Sequence, residues 1–427
     1  MGFLKVLKNK EVKNASWLIG GKIVQMLLSL LVGVLTARYL GPSNYGLISY
    51  GAAFVTFFSA LCGLGLNSVI IKDFVDHPEE QGEAIGSALF MRFLSSVASA
   101  FMTVGIVFVI DNDEPLTITV VALCSMGAIF HVFEVLNFWF QNQYKSKITA
   151  IATLTAYVIV SAYKLLLLVM RMDVRWFAAA TSLDYIAVAL FLYIAYKKNG
   201  GPGISVTKRK CFSLLKISYH YILSALMVSV YGQTDKLMLK QMLNTESVGF
   251  YSIATIVCAM WTFVLQAIID SVYPSILRLK KEDQAAYERK NRCLYAIVFY
   301  ISLAVSLLFL VFGDLIVKIL YGEEYLPASD ILKVVTWYTA FSFLGVARNA
   351  WIVSEGHQRY LKYMYGAAAI INVVLNAVFI PFMGAVGAAL ASLITQVFTS
   401  IVLPMFFADM RPNAMLMLDG ILLKRLR

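Results

Sequence analysis

The chain has 427 residues, of which 60% are hydrophobic and only 14% charged, and its mean hydropathy is +0.74. That leaves too little polar surface for a water-soluble globule, so a soluble enzyme or carrier is excluded. The formal charge of +11 would suggest nucleic acid in a soluble protein, but in a membrane protein Lys and Arg gather in the cytoplasmic loops.

About 12 apolar stretches, each roughly 20 residues or longer, fill the sequence. Before the first come Lys5, Lys8, Lys10 and Lys13, with no signal-peptide cleavage pattern, so the first span is expected to be retained. The first set of predicted spans covers residues 15–40, 45–71, 84–110, 115–140, 148–170 and 175–196. The second covers 213–241, 247–277, 293–312, 327–352, 360–382 and 384–408. A cytoplasmic N-terminus places 24 Lys and Arg in inner segments against 5 outside, with 7 inside spans, which predicts both termini in the cytoplasm. The five cysteines, Cys62, Cys124, Cys211, Cys258 and Cys293, show no metal-type or disulfide spacing.

Between the two sets lies Lys197 to Phe212, with Gly200, Gly201, Pro202 and Gly203, and it reads as a flexible linker. The expected organisation is a six-helix bundle over 1–196, a cytoplasmic linker over 197–212, a second six-helix bundle over 213–408 and a cytoplasmic tail over 409–427. An internal repeat supports it. At an offset of 203, Leu40 meets Leu243, Gly46 meets Gly249 and Ser49 meets Ser252; at 210, Ala178-Ala179 meets Ala388-Ala389. Six is even, so the halves are parallel repeats, an arrangement used for alternating access around a central cavity.

Ionisable groups inside spans cost at least about 2.5–3.5 kcal/mol each at the bilayer centre and usually mark function. Lys22, Arg92, Lys216 and Arg348 lie near the inner ends of their spans, where they either form a cationic vestibule for an anionic substrate or snorkel to the headgroups. Lys164 and Asp184 lie deeper and read as a buried ion pair or as functional groups. Asp235 and Lys236 are adjacent and point about 100° apart on a helix, so only one of them can face a given partner. Lys333 reads as a snorkelling residue. Asp270 and Glu134 are candidates for taking up H⁺ or Na⁺, and His131 shares a helix face with Glu134. His220 offers a similar but weaker signal. No P-loop, HExxH or nucleophile elbow occurs, so energy is expected from a gradient rather than from ATP, with no cofactor and no nucleic-acid partner.

Ala37-Arg38-Tyr39-Leu40-Gly41-Pro42-Ser43-Asn44-Tyr45-Gly46 resembles the "R-x-L-G-P-x-x-x-G" turn of bacterial polysaccharide flippases. Asp235 and the residues after it, Tyr321-Gly322-Glu323-Glu324-Tyr325, Ser354-Glu355-Gly356-His357-Gln358, Asn372, Asn376, Pro381 and Gly384 to Ala389 are similar to later family segments. The resemblance, over nearly the whole chain, is to Wzx-type O-antigen and capsule flippases of the multidrug/oligosaccharidyl-lipid/polysaccharide exporter superfamily. It implies an all-α, MATE-like integral membrane fold of about 12 helices, and flipping of undecaprenyl-diphosphate-linked oligosaccharide to the periplasmic leaflet of the inner membrane. It also implies contact with membrane lipids, a polysaccharide polymerase and a chain-length regulator. On that reading Lys22, Arg92, Lys164, Lys216 and Arg348 contact the substrate anion, and Asp235, Asp270 and Glu134 couple transport to H⁺ or Na⁺. The alternatives are a cation-coupled multidrug exporter, which the seven in-span cations against four acids disfavour, and a membrane polymerase or ligase. The latter needs an outer loop longer than the roughly 14 residues found here.

Overall fold

The computed structural model describes residues 10–424, with side chains from Gly20 onward except Ser68, His220, Leu223 and Ser224. The expectations on His220 and on Lys5, Lys8, Lys10 and Lys13 therefore lie outside the described residues. Among the described residues the regular structure is all helical.

Helix α1, Lys10–Gly63, holds 54 residues, enough at about 1.5 Å each for two crossings. It breaks at Gly41 (φ 72°, ψ 170°), a conformation that favours glycine, and Pro42 restarts the helix. Leu64 and Gly65, both at positive φ, then separate α1 from α2, Leu66–Asp76. After α3, Gln81–Ile110, Pro115 at the first turn opens α4, Pro115–Ala128. A 3₁₀ turn over Ile129–Glu134 leads into α5, Val135–Asn142. Then come α6, Ser146–Val169, α7, Val174–Lys198, and α8, Lys208–Met242. The Asn244 side chain caps α9, Thr245–Ala259, by accepting from the Ser247 amide at 2.8 Å. Helix α10, Thr262–Glu282, follows it with a bend of 43°. Asp283 caps α11, Gln284–Tyr321, and Pro327 opens α12, Pro327–Glu355, which ends on left-handed Gly356. Helix α13, Leu361–Val397, breaks at Gly384 and runs into a π-helical turn, Phe398–Val402. The last helix is α14, Arg411–Ile421.

Among the described residues eight helical stretches are long and apolar enough to cross a membrane, or nine with the bent pair α9–α10 as one span. Two of the eight, Gly20–Gly63 with 44 residues and Gln358–Met405 with 48, are each about twice the length of one crossing and each is broken at a glycine. They account for four of the expected spans. The expected seventh span is α8, whose residues are too polar to qualify on composition.

Contacts divide the chain into two compact units, Met1–Ser229 and Val230–Arg427, with the boundary inside α8. The first unit holds two apolar clusters, one around Phe74, Trp139 and Tyr196 and one around Leu40, Val120 and Phe177. Small residues allow its helices to approach closely: the Gly127 amide donates to Ser182 Oγ at 2.8 Å, and Ser182 donates to the Leu123 carbonyl. The second unit is built around Tyr295, Leu344, Trp351 and Met417.

The connection after α7 is not the free tether its glycines suggest. The Ser205 amide donates to the Gly82 carbonyl at 3.3 Å, and the Thr207 amide donates to Ser87 Oγ at 3.3 Å. Tyr196 Oη donates to the Pro202 carbonyl at 2.5 Å. Gly82 and Gly86 make this docking possible, because a methyl at either would overlap the carbonyl of Gly203 or Ser205. Gly86→Ala is therefore expected to undock the segment, at a cost of about 1–3 kcal/mol for overpacking. Limited proteolysis near residues 199–207 would accelerate relative to wild type; unchanged cleavage would refute the docking.

An ionic clamp holds the same segment. Lys210 Nζ lies 2.9 Å from both Asp73 Oδ2 and Glu80 Oε2, and Arg209 Nη2 lies 3.0 Å from Glu80 Oε1. The hydrogen bond from Lys210 holds the Glu80 carboxyl below its ordinary value. Burial alone would lower the Lys210 ammonium, but its hydrogen bonds to Glu80 and Asp73 outweigh burial and raise it. The depressed carboxylate contributes stability above the usual Glu pKa and loses it as pH falls through the lower folded value. The raised ammonium contributes below the usual Lys pKa and loses it as pH rises through the higher folded value. Protease protection of the segment should thus be flat between about pH 5 and 10 and fall below about pH 4. A steep change near neutrality would contradict the clamp.

Candidate functional site

Three polar constellations lie within the expected spans, each assembled from residues far apart in sequence. The densest surrounds Asp235 on α8, which is only 6% exposed. Its Oδ1 accepts from Asn376 Nδ2 at 2.7 Å and from Asn372 Nδ2 at 3.2 Å. Its Oδ2 accepts from Ser392 Oγ at 2.6 Å and from Tyr251 Oη. Four donors meet the roughly four lone-pair positions of an ionised carboxylate. The shell is itself linked, since Asn376 Nδ2 lies 3.1 Å from Asn372 Oδ1 and Asn372 Nδ2 lies 3.0 Å from Ser392 Oγ. Asn376 Oδ1 is buried with no hydrogen-bond partner among the described residues. Asn372 and Asn376 stand one helical turn apart on α13, so both carboxamides reach the same carboxylate. With all four positions taken by donors, a cation would reach the carboxylate only by displacing some of them.

The second constellation lies in the first unit. Arg92 on α3 is 1% exposed; its Nη2 lies 3.0 Å from Glu134 Oε2, and its Nε donates to the Cys62 carbonyl at 3.3 Å. Arg92 thereby satisfies a carbonyl freed where α1 ends and also neutralises the acid on the 3₁₀ turn. His131 Nε2 lies 3.7 Å from the same Glu134 oxygen, and its ring meets Tyr185 edge-on. Glu134 and His131, each about one third exposed, open onto a cavity of about 420 Å³ that Gln25, Asn137, Tyr157 and Asp184 also line. Asp184 pairs with Lys164 at 3.0 Å, each side chain being about a quarter exposed. A 3₁₀ stretch inside a span marks a place where the backbone departs from the α-helical ladder, often for function.

The third involves Arg348 on α12, 5% exposed. Its Nη1 donates to the Thr399 and Ser400 carbonyls at 3.2 and 3.3 Å, within the π-helical turn. Around it, Tyr231 Oη donates to Gln396 Oε1 at 2.9 Å, and Gln396 Nε2 donates to Ser400 Oγ at 3.0 Å.

The expected site residues thus divide by surroundings. Asp235 sits in a closed polar shell, while Arg92 and Glu134 meet each other. Lys164 meets Asp184, and Arg348 is engaged by backbone carbonyls. Lys22 and Lys216 are exposed and make no hydrogen bond or ion pair among the described residues. Asp270 is exposed too and, among the described residues, accepts only from Gln266 Nε2, at 2.8 Å. Lys333, read as snorkelling, instead lies 2.9 Å from Asp314 and 3.0 Å from Asp330. Sequence reasoning did not assign Asn372, Asn376, Ser392 and Tyr251 to the site. The signal for the two asparagines was their i, i+4 spacing in an otherwise apolar segment; Ser392 and Tyr251 gave none.

The sequence profile of the family described as "Polysaccharide biosynthesis protein" matches residues 12–280. The chain belongs to that family. Its relatives within the polysaccharide biosynthesis proteins include a Shigella flexneri protein named for O-antigen transport. That protein is 21% identical over 93% of this chain and 98% of its own length. They also include the capsular polysaccharide biosynthesis protein CapF of Staphylococcus aureus, 21% identical over 90% and 96%. Among solved structures, the lipid II flippase MurJ in an inward closed conformation superposes with a TM-score of 0.70. Its identity is 14%, over 96% of this chain and 91% of that one. An inward-facing multidrug MATE transporter of the MOP superfamily gives 0.73 at 15% identity, over 91% and 95%. At these identities the likeness shows the fold, which is all-α and MATE-like.

Proposed function

We propose that this polysaccharide biosynthesis protein is a flippase. It carries undecaprenyl-diphosphate-linked oligosaccharide from the cytoplasmic to the periplasmic leaflet of the inner membrane, by alternating access. What carries the reading is one pairing: membership of a polysaccharide family in a chain whose fold is that of membrane transporters. Two full-length relatives bear names from O-antigen transport and capsule synthesis. The Lys and Arg asymmetry of the loops supports termini in the cytoplasm. A monovalent cation, H⁺ or Na⁺, drives the cycle at Asp235. Rotation of the Asn372 and Asn376 carboxamides would turn their oxygens toward a Na⁺ held by the carboxylate, whereas H⁺ would break the donor shell. Glu134, beside its cavity, is a second coupling candidate. Lys22 and Lys216 are the expected cations left open to an anionic substrate. A polymerase and a chain-length regulator would receive the product.

Deleting the gene in its host and analysing lipid extracts tests this. Loss of surface glycan with complete lipid-linked repeat units left on the cytoplasmic face is the expected outcome. Units that still reach the periplasmic face but stay unpolymerised would refute it in favour of a polymerase. Intact glycan with raised drug sensitivity would refute it in favour of a drug exporter.

A further inference from the structure

Helix α8 has 35 residues, about 52 Å, so it is long enough to cross a membrane. Yet among the described residues it is not one of the helices apolar enough to do so by composition. Ser229, Gly232, Gln233, Thr234, Asp235, Lys236, Lys240 and Gln241 all fall within its last 14 residues. Hydrocarbon cannot solvate such a surface, so each polar group at membrane depth must be buried in protein or must face water.

Along the helix the structure shows which of these groups are buried in protein. Thr234, Asp235 and Lys240 are buried. Asp235 is committed to Tyr251, Asn372, Asn376 and Ser392. The next residue lies about 100° further round the helix, so the Lys236 ammonium is carried away from that shell. Lys236 is half-buried, and it shares a face with exposed Gly232 one turn earlier. It makes no hydrogen bond or ion pair among the described residues. Four other buried or half-buried lysines differ: Lys164, Lys210, Lys280 and Lys333 have a carboxylate oxygen within 3.0, 2.9, 2.6 and 2.9 Å respectively. Lys22 and Lys216 also lack partners among the described residues, but they are exposed and lie near the inner ends of their spans.

We propose that Lys236 lies on a water-lined face of α8 and is a contact for the diphosphate of the lipid-linked substrate. The proposal rests on the flippase reading and adds a residue to it. An ammonium on a flexible four-carbon stem is a compact, strongly hydrated point charge, which suits a phosphate that must be bound and released as it moves. A fixed bidentate fork would hold it in one geometry. With the coupling ion at Asp235, as proposed above, that ion and the substrate anion would be sensed on adjacent faces of one helix.

Two measurements test this. Purified protein in nanodiscs of zwitterionic lipid is titrated with undecaprenyl diphosphate. Lys236→Gln is expected to weaken binding at least about tenfold, with Lys236→Arg recovering most of it; equal affinity of Lys236→Gln and wild type would overturn the assignment. In spheroplasts, Lys236→Cys is treated with a membrane-impermeant cationic thiol reagent, with wild type as background. Labelling above background is expected, and undecaprenyl diphosphate should slow it. No labelling would overturn the water-lined face, and labelling indifferent to the diphosphate would show a lysine that merely snorkels to the outer headgroups. Size-exclusion profiles of each variant report folding. If wild type neither binds undecaprenyl diphosphate nor restores surface glycan to a deletion strain, the flippase reading fails. If wild type does both and Lys236→Gln matches it, only the lysine assignment fails.

Discussion

Asp235→Asn is expected to cut glycan export to a small residual flux while leaving the protein in the membrane. The substitution changes volume little but replaces an acceptor-only group by one that carries two N–H donors of its own. Tyr251, Asn372, Asn376 and Ser392 all donate to that carboxylate, so at least one or two donors would be left facing another donor. Each unmet buried donor costs about 1–3 kcal/mol, which predicts a lower thermal midpoint as well as lost transport. Those two effects must be separated, because a purely structural cage would also be weakened. The separating readout is ion dependence in proteoliposomes. If Asp235 binds the coupling ion, the small residual flux of Asp235→Asn should no longer respond to Na⁺ or pH. Asn376→Ala, which removes the shorter of the two Oδ1 hydrogen bonds and the orphaned amide oxygen together, should shift that response instead of erasing it. Residual flux with the wild-type ion response would show the cage to be structural.

The parts of this molecule that were legible in the sequence are those set by one residue or by one helix. Gly41-Pro42 reads as a turn between the first two spans because a tight turn needs a permissive glycine and a helix-starting proline, and the backbone turns there. The Lys164–Asp184 pair was legible because two isolated charges on consecutive spans have few other partners. What could not be read is whatever depends on helices brought together from afar. The sequence shows only that Asp235 and Lys236 cannot both face one partner; side chains of α9 and α13 engage Asp235. Arg348 reads as an anion-binding or snorkelling cation, but its Nη1 donates to carbonyls of a π turn some 50 residues later, and nothing local announces a π turn. The segment after α7 misled for a related reason. Its glycines read as flexibility, while Gly82 and Gly86 across the interface use the same lack of a side chain for close approach. Glycine marks permissiveness in the sequence, and only the partner shows which kind.

The Arg92–Glu134 pair carries the second large expectation, and its two halves should not be equivalent. Removing one partner of a buried ion pair typically costs about 3–5 kcal/mol, since the survivor is left as an uncompensated charge. Here the survivors differ. Arg92 is 1% exposed and a guanidinium cannot shed its proton. Glu134→Gln therefore leaves a full buried charge, held only by the Cys62 carbonyl and by a neutral amide oxygen in place of the carboxylate. Glu134 is 35% exposed and opens onto a cavity large enough for water, and a carboxyl can take up a proton, so Arg92→Met should cost less. The expected order of thermal midpoints is therefore wild type, then Arg92→Met, then Glu134→Gln. The double variant should recover part of the loss, because neither charge is then stranded. The reverse order would mean that Glu134 is the more deeply held charge and that the cavity does not serve it. Transport adds a second axis. If Glu134 also carries protons, the double variant should fold well yet lose the pH dependence of export. A structural pair would give a double variant that exports with the wild-type pH profile. A stable fold with altered coupling is an outcome that packing alone does not produce.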